Sequence, residues 1–476
     1  MKNIRTRFAP SPTGYMHVGG VRTALFAWLV ARKDKSGKLI LRLEDTDQKR
    51  EVKGSDEHLM RCLKTLGISY DEGPDIGGPY APYRQSERLD IYKKWAKKLI
   101  DSNRAYADPY SSEEIQSFRE QAKKENRAFL YRNHRPDNPP EWNGTMPLRF
   151  KSDPKEYKWH DEIMGDMNTG PEVIDDFILI KSDGFPTYNF AHIVDDAEMK
   201  VTHIIRGQEF ISSQPNYLNL YEALDIERPI LASVPPILGE SGTKKLGKRD
   251  GAKDVLDYLK DGYLVEAMIN FIASLGWNDG TEQEIFSYEE LIDKFSLDRV
   301  QHSGARFDEK RLLWMNSQWI RKLTLEELYK RCDEFWPDSA NKVDEKIKMT
   351  ILKLVQDRLK TLCDLPILTS YFFENPVPDW TMVKGNKQLG KLSKEQIIEL
   401  LIDTKKALNN SGFDPKSIQD TLNELLASTN QKPAILFSLI RLAVSWAPFS
   451  PALNDTLSAL GKDKTISRLQ TAIETC

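Results

Sequence analysis

The first 43 residues constrain the fold most, because they predict a strand, a loop and a helix followed by a second strand. Residues 4–9 predict a short strand, a proline and glycine loop follows, and residues 38–43 predict the next strand. Such βαβ units build parallel sheets with right-handed crossovers, and ligands bind at the carboxyl ends of their strands. The loop at residues 10–17 is therefore expected to face a site. The helix between the strands places these apolar residues on one face: Val21, Ala24, Leu25, Trp28 and Leu29.

The pattern changes twice further along the chain. Residues 83–177 contain charged helical stretches and a run rich in proline and asparagine, which indicates an insertion. Strand-like runs at 177–181, 201–205 and 230–234 predict that the sheet then resumes. From residue 266 helical periodicity dominates. The helical spacing is clearest in five residues: Ile351, Leu352, Val355, Leu359 and Leu362.

These patterns predict an α/β fold: a discontinuous Rossmann-like parallel-sheet domain with an α+β insertion, followed by an all-α C-terminal region. We expect the Rossmann-like domain to span 1–82 and 178–250, with the insertion at 83–177. A helical domain would follow at 251–321. The all-helical region would span 322–476, with a subdomain boundary near 375 as an open alternative.

Length and composition bound the class of protein. A chain of 476 residues is expected to form two to four domains. A net charge of −3 argues against nucleic-acid binding through overall charge, so any RNA site must be local. No apolar stretch is long enough to span a membrane and the start lacks a signal peptide, so we expect a cytoplasmic protein, although a processed organellar protein would look the same. The cysteines lack a disulfide or metal spacing and are expected to be reduced, mostly buried thiols: Cys62, Cys332, Cys363 and Cys476.

The segment Pro10-Ser-Pro-Thr-Gly14 with His17-Val-Gly-Gly20 predicts a phosphate site. It opens a helix, so backbone amides and the helix dipole favour an anion there. His17 can stabilise charge on a phosphate, while the glycines let a nucleotide lie against the backbone. The missing G-x-G-x-x-G pattern argues against NAD. A lysine-rich loop at 244–252 suits a cationic lid for a triphosphate. The alternative is a solvent-facing histidine before a glycine helix cap.

Together these motifs resemble the class I aminoacyl-tRNA synthetases, specifically the bacterial-type glutamyl-tRNA synthetases, over nearly the whole chain. Further matching segments are Leu43-Glu-Asp-Thr-Asp47, Pro186-Thr-Tyr-Asn-Phe190, Val194-Asp-Asp196 and Ile205-Arg-Gly207. The resemblance implies activation of glutamate by ATP to glutamyl adenylate and transfer to tRNA. It implies a catalytic set of His17, Gly19, Gly20, Lys245 and Lys248.

Two lysine segments compete for the role of the family's lysine loop. Lys391-Leu-Ser-Lys394 matches the family spelling better, but Ser393 and Gln396 form a capping box that predicts the start of a helix. We therefore assign the loop to the Lys245 segment, which departs from the family by having Gly247 in place of a common serine.

A glutamate substrate needs planar cations for carboxylate and an acid for its ammonium. By resemblance, its binding residues are Arg7, Ser11, Glu44, Tyr188 and Arg206. The implied ATP-binding residues are Pro10, Thr13, Gly14, His17, Gly20, Glu209, Leu238 and Lys248. Taken singly, either arginine would more commonly form a surface ion pair. A metal cluster at residues 44–47 is weighed lower, because Mg²⁺ arriving with ATP needs no protein cage.

The resemblance implies tRNA(Glu), ATP and L-glutamate as partners of a monomeric enzyme. The insertion would grip the acceptor end and the helical third would meet the anticodon, with Arg358 and Arg441 as tRNA-binding residues. A helix-surface charge is the alternative for Arg358. Relatives carry a zinc knuckle where this chain reads Ala105-Tyr-Ala-Asp-Pro-Tyr110, and the nearby His134 is expected on the surface. No structural zinc is predicted.

The rival functions are a glutaminyl-tRNA synthetase, a non-catalytic tRNA-binding paralogue and a shortened tRNA-modifying relative. The helical C-terminal region argues against a glutaminyl-tRNA synthetase. The intact motifs argue against a non-catalytic paralogue, and the length of the chain argues against a shortened relative. Charging of tRNA(Gln) stays open.

Overall fold

The computed structural model describes residues 3–247, 253–447 and 450–476. Lys248, the main predicted phosphate contact, lies outside these residues. The chain divides into two compact units, Met1–Tyr258 with Met268–Glu309, and Leu259–Ala267 with Lys310–Cys476.

The first unit contains all the strands within the described residues. They are β1 (Arg5–Phe8), β2 (Lys38–Leu41), β3 (Ala105–Ala107), β4 (Leu148–Phe150), β5 (Tyr157–Asp161), β6 (Gly165–Thr169), β7 (Ile178–Ile180), β8 (His203–Gly207), β9 (Ile230–Val234), β10 (Ile237–Leu238) and β11 (Ala305–Arg306). Its helices are α1 (Val18–Arg32), α2 (Ser55–Thr65), α3 (Leu89–Asp101), α4 (Ser112–Lys124), α5 (Tyr188–Glu198), α6 (Gln214–Ala223) and α9 (Tyr288–Lys294), while α7 (Val255–Lys260) and α8 (Val265–Ser274) cross the division between the units.

The predicted parallel layer is present. Strand β1 pairs with β2 and β8 pairs with β9, both in parallel. The Thr202 amide donates to the Arg5 carbonyl at 2.9 Å, which joins the start of β8 to the start of β1. Helix α1 is buried more completely than its predicted face, since Phe26, Ala27 and Val30 are buried as well. A helix that is apolar all round needs protein on all sides.

One predicted strand belongs elsewhere. Residues 177–181 were expected to resume the parallel sheet, but β7 pairs antiparallel with β4, and β4 pairs antiparallel with β3. This prediction was wrong because the apolar residues of a strand do not indicate which other strand it pairs with. Only β8 and β9 continue the parallel layer after the insertion, whose other strands, β5 and β6, form a hairpin.

All the regular elements among the described residues of the second unit are helices, as predicted. Its helices are α10 (Glu309–Lys322), α11 (Leu325–Arg331), α12 (Glu345–Val355), α13 (Leu365–Phe373), α14 (Trp380–Gly385), α15 (Lys394–Asn409), α16 (Pro415–Thr429), α17 (Pro433–Ser445), α18 (Leu453–Leu460) and α19 (Lys462–Thr475). The Ser393 side chain accepts from the Gln396 amide and the Gln396 side chain accepts from the Ser393 amide, which confirms the capping box at the start of α15.

In the second unit, the predicted pattern of buried residues continues beyond the end of helix α12. Leu359 and Leu362 are buried with Ile351, but α12 ends at Val355 and a short 3₁₀ turn follows.

The burial of the cysteines and the lengths of the helices can be compared with the predictions from composition. Cys62 and Cys332 are buried, whereas Cys363 is exposed and Cys476 half-buried, so the thiols are less buried than expected. All four are free. Among the described residues, helices of the length and apolarity that a bilayer crossing requires are absent.

Candidate functional site

His17 caps helix α1 with its own side chain. Its Nδ1 accepts hydrogen bonds from the Gly19 amide at 3.1 Å and the Gly20 amide at 3.4 Å. The sequence predicted that these amides would point at phosphate, but the imidazole already occupies them. Because Nδ1 is an acceptor, the proton of a neutral His17 lies on Nε2. The exposed ring can therefore offer an N–H donor beyond the helix end.

A buried ion network lies behind this loop. Arg7 at the end of β1 donates from Nε to Asp196 Oδ1 at 3.2 Å and from Nη1 to the Ile205 carbonyl at 3.2 Å. Arg42, fully buried after β2, donates to Asp196 at 2.7 Å and to Glu44 at 2.9 Å. Among the described residues, the hydrogen bonds of Arg7 use Nε and Nη1, which leaves Nη2 able to donate to a ligand.

The network shifts the pKa values of two neighbouring carboxyl groups in opposite directions. Burial raises the pKa of Glu44 to about 7, against the charges of Arg42 and Arg7 that lower it. Burial also acts to raise the pKa of Asp196, but the charges of Arg7 and Arg42 outweigh it and hold the pKa at about 2. Asp196 is therefore a permanent anion, whereas Glu44 can change charge near neutral pH.

Asp195 fixes the same end of α5 from the other side. It accepts from Gln85 Nε2 at 2.9 Å, Arg88 Nε at 2.7 Å and the Tyr92 hydroxyl at 2.9 Å. The pair of adjacent acids at the end of α5 is thus structural, with each carboxylate committed to buried donors.

Arg206, at the end of β8, lies within a ring of aromatic contacts. Its guanidinium is 5.1 Å from the Phe210 ring and 5.1 Å from the Tyr217 ring. Tyr188 stacks on Phe210 at 5.1 Å and on His192 at 4.6 Å, and His192 meets Tyr217 edge-on at 4.7 Å. These contacts form a closed circuit that orients the arginine and, by burial, raises the pKa of the Tyr188 hydroxyl.

Two atoms of this circuit are buried without a hydrogen-bond partner in the described residues: Arg206 Nη1 and His192 Nε2. His192 Nδ1 lies 2.7 Å from the Tyr188 carbonyl, and burial followed by the charge of Arg206 lowers the pKa of His192 to about 3. The ring is therefore neutral, Nδ1 carries the proton and Nε2 is an acceptor. Buried groups of this kind are normally satisfied, so each has the capacity for one further hydrogen bond.

A cleft of about 830 Å³ brings together part of the predicted site. Ser11, Thr13, Glu44 and Tyr188 all line it. Pro10 lies beside it and its carbonyl accepts from the Glu44 amide at 3.0 Å, which ties the loop to the segment after β2. Gly14 is the last residue of this loop and has a positive φ of 156°, a conformation that favours glycine.

The predicted nucleotide residues lie on a second set of elements. Lys245 Nζ is 3.3 Å from Glu209 Oε1, and both side chains are more than half exposed. Leu238 in β10 forms a bridge with Lys245, so strand pairing fixes the chain entering the lysine-rich loop. The structure thus places Lys245 beside Glu209.

In the second unit, the predicted tRNA-binding arginines surround one tyrosine. Burial raises the pKa of Tyr371, whereas the charges of Arg358, Arg441 and Arg468 lower it. Arg358 is exposed, and Arg441 Nε donates to Ser450 Oγ at 2.7 Å. The two arginines are therefore brought together, although their contact with tRNA stays a prediction.

The segment predicted to have lost zinc is held by other contacts. Asp108 accepts from Arg149 Nη2 at 2.7 Å and from the Tyr131 hydroxyl. His134 is half-buried rather than on the surface, because it stacks on Phe118 at 4.2 Å. Across the described ranges, groups of three or more side chains able to hold a metal are absent. The zinc prediction itself stays a prediction.

Sequence reasoning missed four residues of this region: Arg42, Gln85, His192 and Gln214. A signal existed for one of them, because Tyr188, His192 and Asp195 recur at helical spacing and share a face of α5. Arg42 comes directly after a strand, much as Arg206 lies at the end of one. The sequence around a single arginine does not show whether that arginine is buried. Gln85 and Gln214 carry no pattern that distinguishes them from surface amides.

Known proteins resemble the chain along its whole length. The family model for the class I tRNA synthetase (E and Q) catalytic domain matches residues 3–314, and an anticodon-binding domain model matches 327–473. A glutamate–tRNA ligase of Clostridium tetani is 39% identical, covering 99% of this chain and 97% of that protein. Glutamate–tRNA ligase 1 of Fervidobacterium nodosum is 40% identical, covering 98% and 99%. The crystal structure of an Elizabethkingia meningosepticum glutamate tRNA ligase in complex with its amino acid is similar with a TM-score of 0.90, 33% identity and full coverage of both chains.

Proposed function

Because the chain belongs to the class I tRNA synthetases for glutamate and glutamine, we propose that it is a glutamate–tRNA ligase. It activates L-glutamate with ATP and transfers it to the 3′ end of tRNA(Glu). The observation that carries this proposal is Arg206, a buried guanidinium whose Nη1 has no partner within the described residues. A buried, oriented cation favours a substrate with an anionic side chain over a neutral one.

The amino acid is held between the two clusters. Arg206 and Arg7 Nη2 receive carboxylate oxygens, and the Tyr188 hydroxyl donates beside them. Glu44 faces the ammonium from the wall of the cleft. This division uses the opposite charges of the substrate, because the cations lie on β1 and β8 and the acid follows β2.

ATP occupies the exposed side of the same loop. His17 Nε2 donates towards the phosphates, while Gly19 and Gly20 keep the imidazole fixed through Nδ1. Lys245 and Lys248 supply positive charge, and Pro10, Ser11, Thr13, Gly14, Glu209 and Leu238 complete the two sites. Mg²⁺ entering with ATP offsets phosphate charge.

The reaction needs no protein nucleophile. An α-carboxylate oxygen of glutamate attacks the α-phosphorus of ATP, and the bond to the pyrophosphate oxygen breaks. A ribose hydroxyl of the terminal adenosine of tRNA then attacks the activated carbonyl carbon and releases AMP. The protein contributes alignment of the two substrates and stabilisation of phosphate charge.

The helical unit supports a role for tRNA. Arg358 and Arg441 provide a local cationic surface on a chain with a net charge of −3, which fits binding through a defined RNA site. We expect a monomer that works in the cytoplasm and requires bound tRNA for the first step.

The runner-up is a glutaminyl-tRNA synthetase, because the matching catalytic family model covers both amino acids. The helical second unit and the buried Arg206 favour glutamate. A non-catalytic tRNA-binding paralogue would need no such buried cation.

The test is exchange of labelled pyrophosphate into ATP, followed by aminoacylation of purified tRNA(Glu) and tRNA(Gln), with glutamate and glutamine supplied in turn. We expect exchange with glutamate only when tRNA is present. Exchange with glutamine instead would overturn the specificity, and no exchange with either amino acid would favour the paralogue.

The Arg206→Ala variant tests whether Arg206 binds a carboxylate of glutamate. Arg206→Ala should raise KM for glutamate by about 100-fold or more, since it removes a charged hydrogen bond, while KM for ATP changes by less than about threefold. Arg228→Ala, which removes an arginine paired with Glu222 at the surface, is the matched control. Equal losses for both substrates would contradict the carboxylate role.

A further inference from the structure

Gln214 is a buried amide attached to the candidate carboxylate site. It begins α6, its exposed fraction is 3%, and its Oε1 accepts from Arg206 Nη2. This orientation is chemically fixed, because a guanidinium has donors only and must face the amide oxygen. The amide nitrogen Nε2 therefore points away from Arg206 Nη2.

That nitrogen has no hydrogen-bond partner in the described part of the chain, and neither does Arg206 Nη1. One hydrogen-bonded pair thus presents two buried, unsatisfied N–H donors. An unsatisfied buried donor is costly and uncommon, so two on one pair call for an acceptor group supplied from outside the chain. His192 Nε2 is an unpartnered acceptor nearby, yet it forms no bond with either donor.

We propose that Gln214 is a specificity-determining residue that binds the side-chain carboxylate of the substrate through Nε2, alongside Nη1 of Arg206. A carboxylate has two oxygens that only accept, which matches two donors. A carboxamide would place its own NH₂ against one of them. Gln214 therefore selects an acidic side chain over its amide by hydrogen-bond polarity, in addition to the charge selection by Arg206.

Burial indicates which carboxylate is bound. The α-carboxylate must reach ATP, and the predicted ATP residues His17, Thr13 and Lys245 are exposed. Arg206 and Gln214 are buried, with exposed fractions of 7% and 3%. Because the pair is more buried than the ATP residues, we assign it to the far end of the substrate side chain, behind the residues that line the cleft.

This inference rests on the proposed function, and two variants test it once the wild-type protein shows glutamate-dependent exchange. Gln214→Met removes the whole amide at similar size. Gln214→Glu keeps an oxygen for Arg206 but replaces the donor with an acceptor. We expect KM for glutamate to rise about 10- to 100-fold in Gln214→Met and further in Gln214→Glu, with KM for ATP within about twofold.

The decisive readout is the ratio of kcat/KM for glutamate to that for glutamine. It should fall at least about tenfold in Gln214→Glu, because the new oxygen accepts from an amide and repels a carboxylate. Gln301→Met, the same change on an exposed side chain outside the insertion, is the control. A thermal melt shows whether each variant is folded, and the isosteric Gln214→Glu carries the test if Gln214→Met is not. An unchanged ratio, or equal rises in KM for both amino acids, would overturn the role. Absence of any exchange by the wild type would instead overturn the proposed function.

Discussion

Glu44 should make glutamate binding depend on pH near neutrality. Burial raises its pKa to about 7, well above that of an ordinary glutamate. The folded site therefore holds it protonated in mild acid, and only the ionised form pairs with the ammonium of the substrate. Since about a tenth of the groups are ionised at pH 6 and about nine tenths at pH 8, KM for glutamate should fall about tenfold between them.

The neighbouring titratable groups do not change charge between pH 6 and 8, so the change in KM for glutamate is assigned to Glu44. Asp196 is ionised throughout the range, since its pKa is about 2, and His192 is neutral throughout, since its pKa is about 3. The direction follows from the raised pKa: the binding-competent anion is lost as pH falls through 7, so affinity weakens towards acid.

The assay is tRNA-dependent pyrophosphate exchange at pH 6, 7 and 8, with KM measured for glutamate and separately for ATP. Glu44→Gln, which keeps an oxygen for Arg42, should give a KM for glutamate that no longer changes with pH and is at least as high as the wild-type value at pH 6. A flat wild-type profile would refute the reasoning, as would a tenfold change that survives in Glu44→Gln.

Two further predictions concern stability. Asp196→Asn removes the anion between Arg7 and Arg42 and should lower the free energy of unfolding by about 3–5 kcal/mol in a urea titration, whereas Asp90→Asn, at an exposed pair with Lys93, should change it by less than about 0.5 kcal/mol. A similar small effect of both would show that the buried network is not a source of stability. Ser393→Ala should cost about 1 kcal/mol in the helical unit by removing the cap of α15, with pyrophosphate exchange unchanged. A loss of exchange with an intact melting temperature would mean that Lys391-Leu-Ser-Lys394 is catalytic after all.

The sequence predicted elements well where one local pattern decides them. The strand at 230–234 matches β9 residue for residue, and the capping box at Ser393 marks the true start of α15. In contrast, β7 was assigned to the wrong sheet, because pairing depends on partners far along the chain. The end of α12 was missed because buried residues continue past it at the same spacing.

The site divides in the same way. Strand ends placed Arg7 and Arg206, and the loop placed Ser11, Thr13 and His17 before the helix. What the sequence left out is how each group is already engaged. The imidazole caps its own helix through a local contact, whereas the carboxylate that occupies Arg7 and the amide that holds Arg206 come from other elements of the fold. Arg7 and Asp196 are 189 residues apart, so no periodicity connects them. Arg206 and Gln214 are eight residues apart, but they lie in different elements, β8 and α6, and no single period relates them.

The ion pairs of Asp196 also bear on how the chain can be made. Arg42 lies 154 residues before its aspartate and Arg7 lies 189 residues before it, with the whole insertion between. At about 5–20 residues per second, a ribosome delivers the acid roughly 8–30 s after Arg42. Until then the nascent amino-terminal segment lacks the aspartate that binds both arginines, and Glu44 pairs only with Arg42. The parallel layer is therefore expected to close only after the insertion has been synthesised, so truncated chains ending before residue 196 should be held open and available to chaperones.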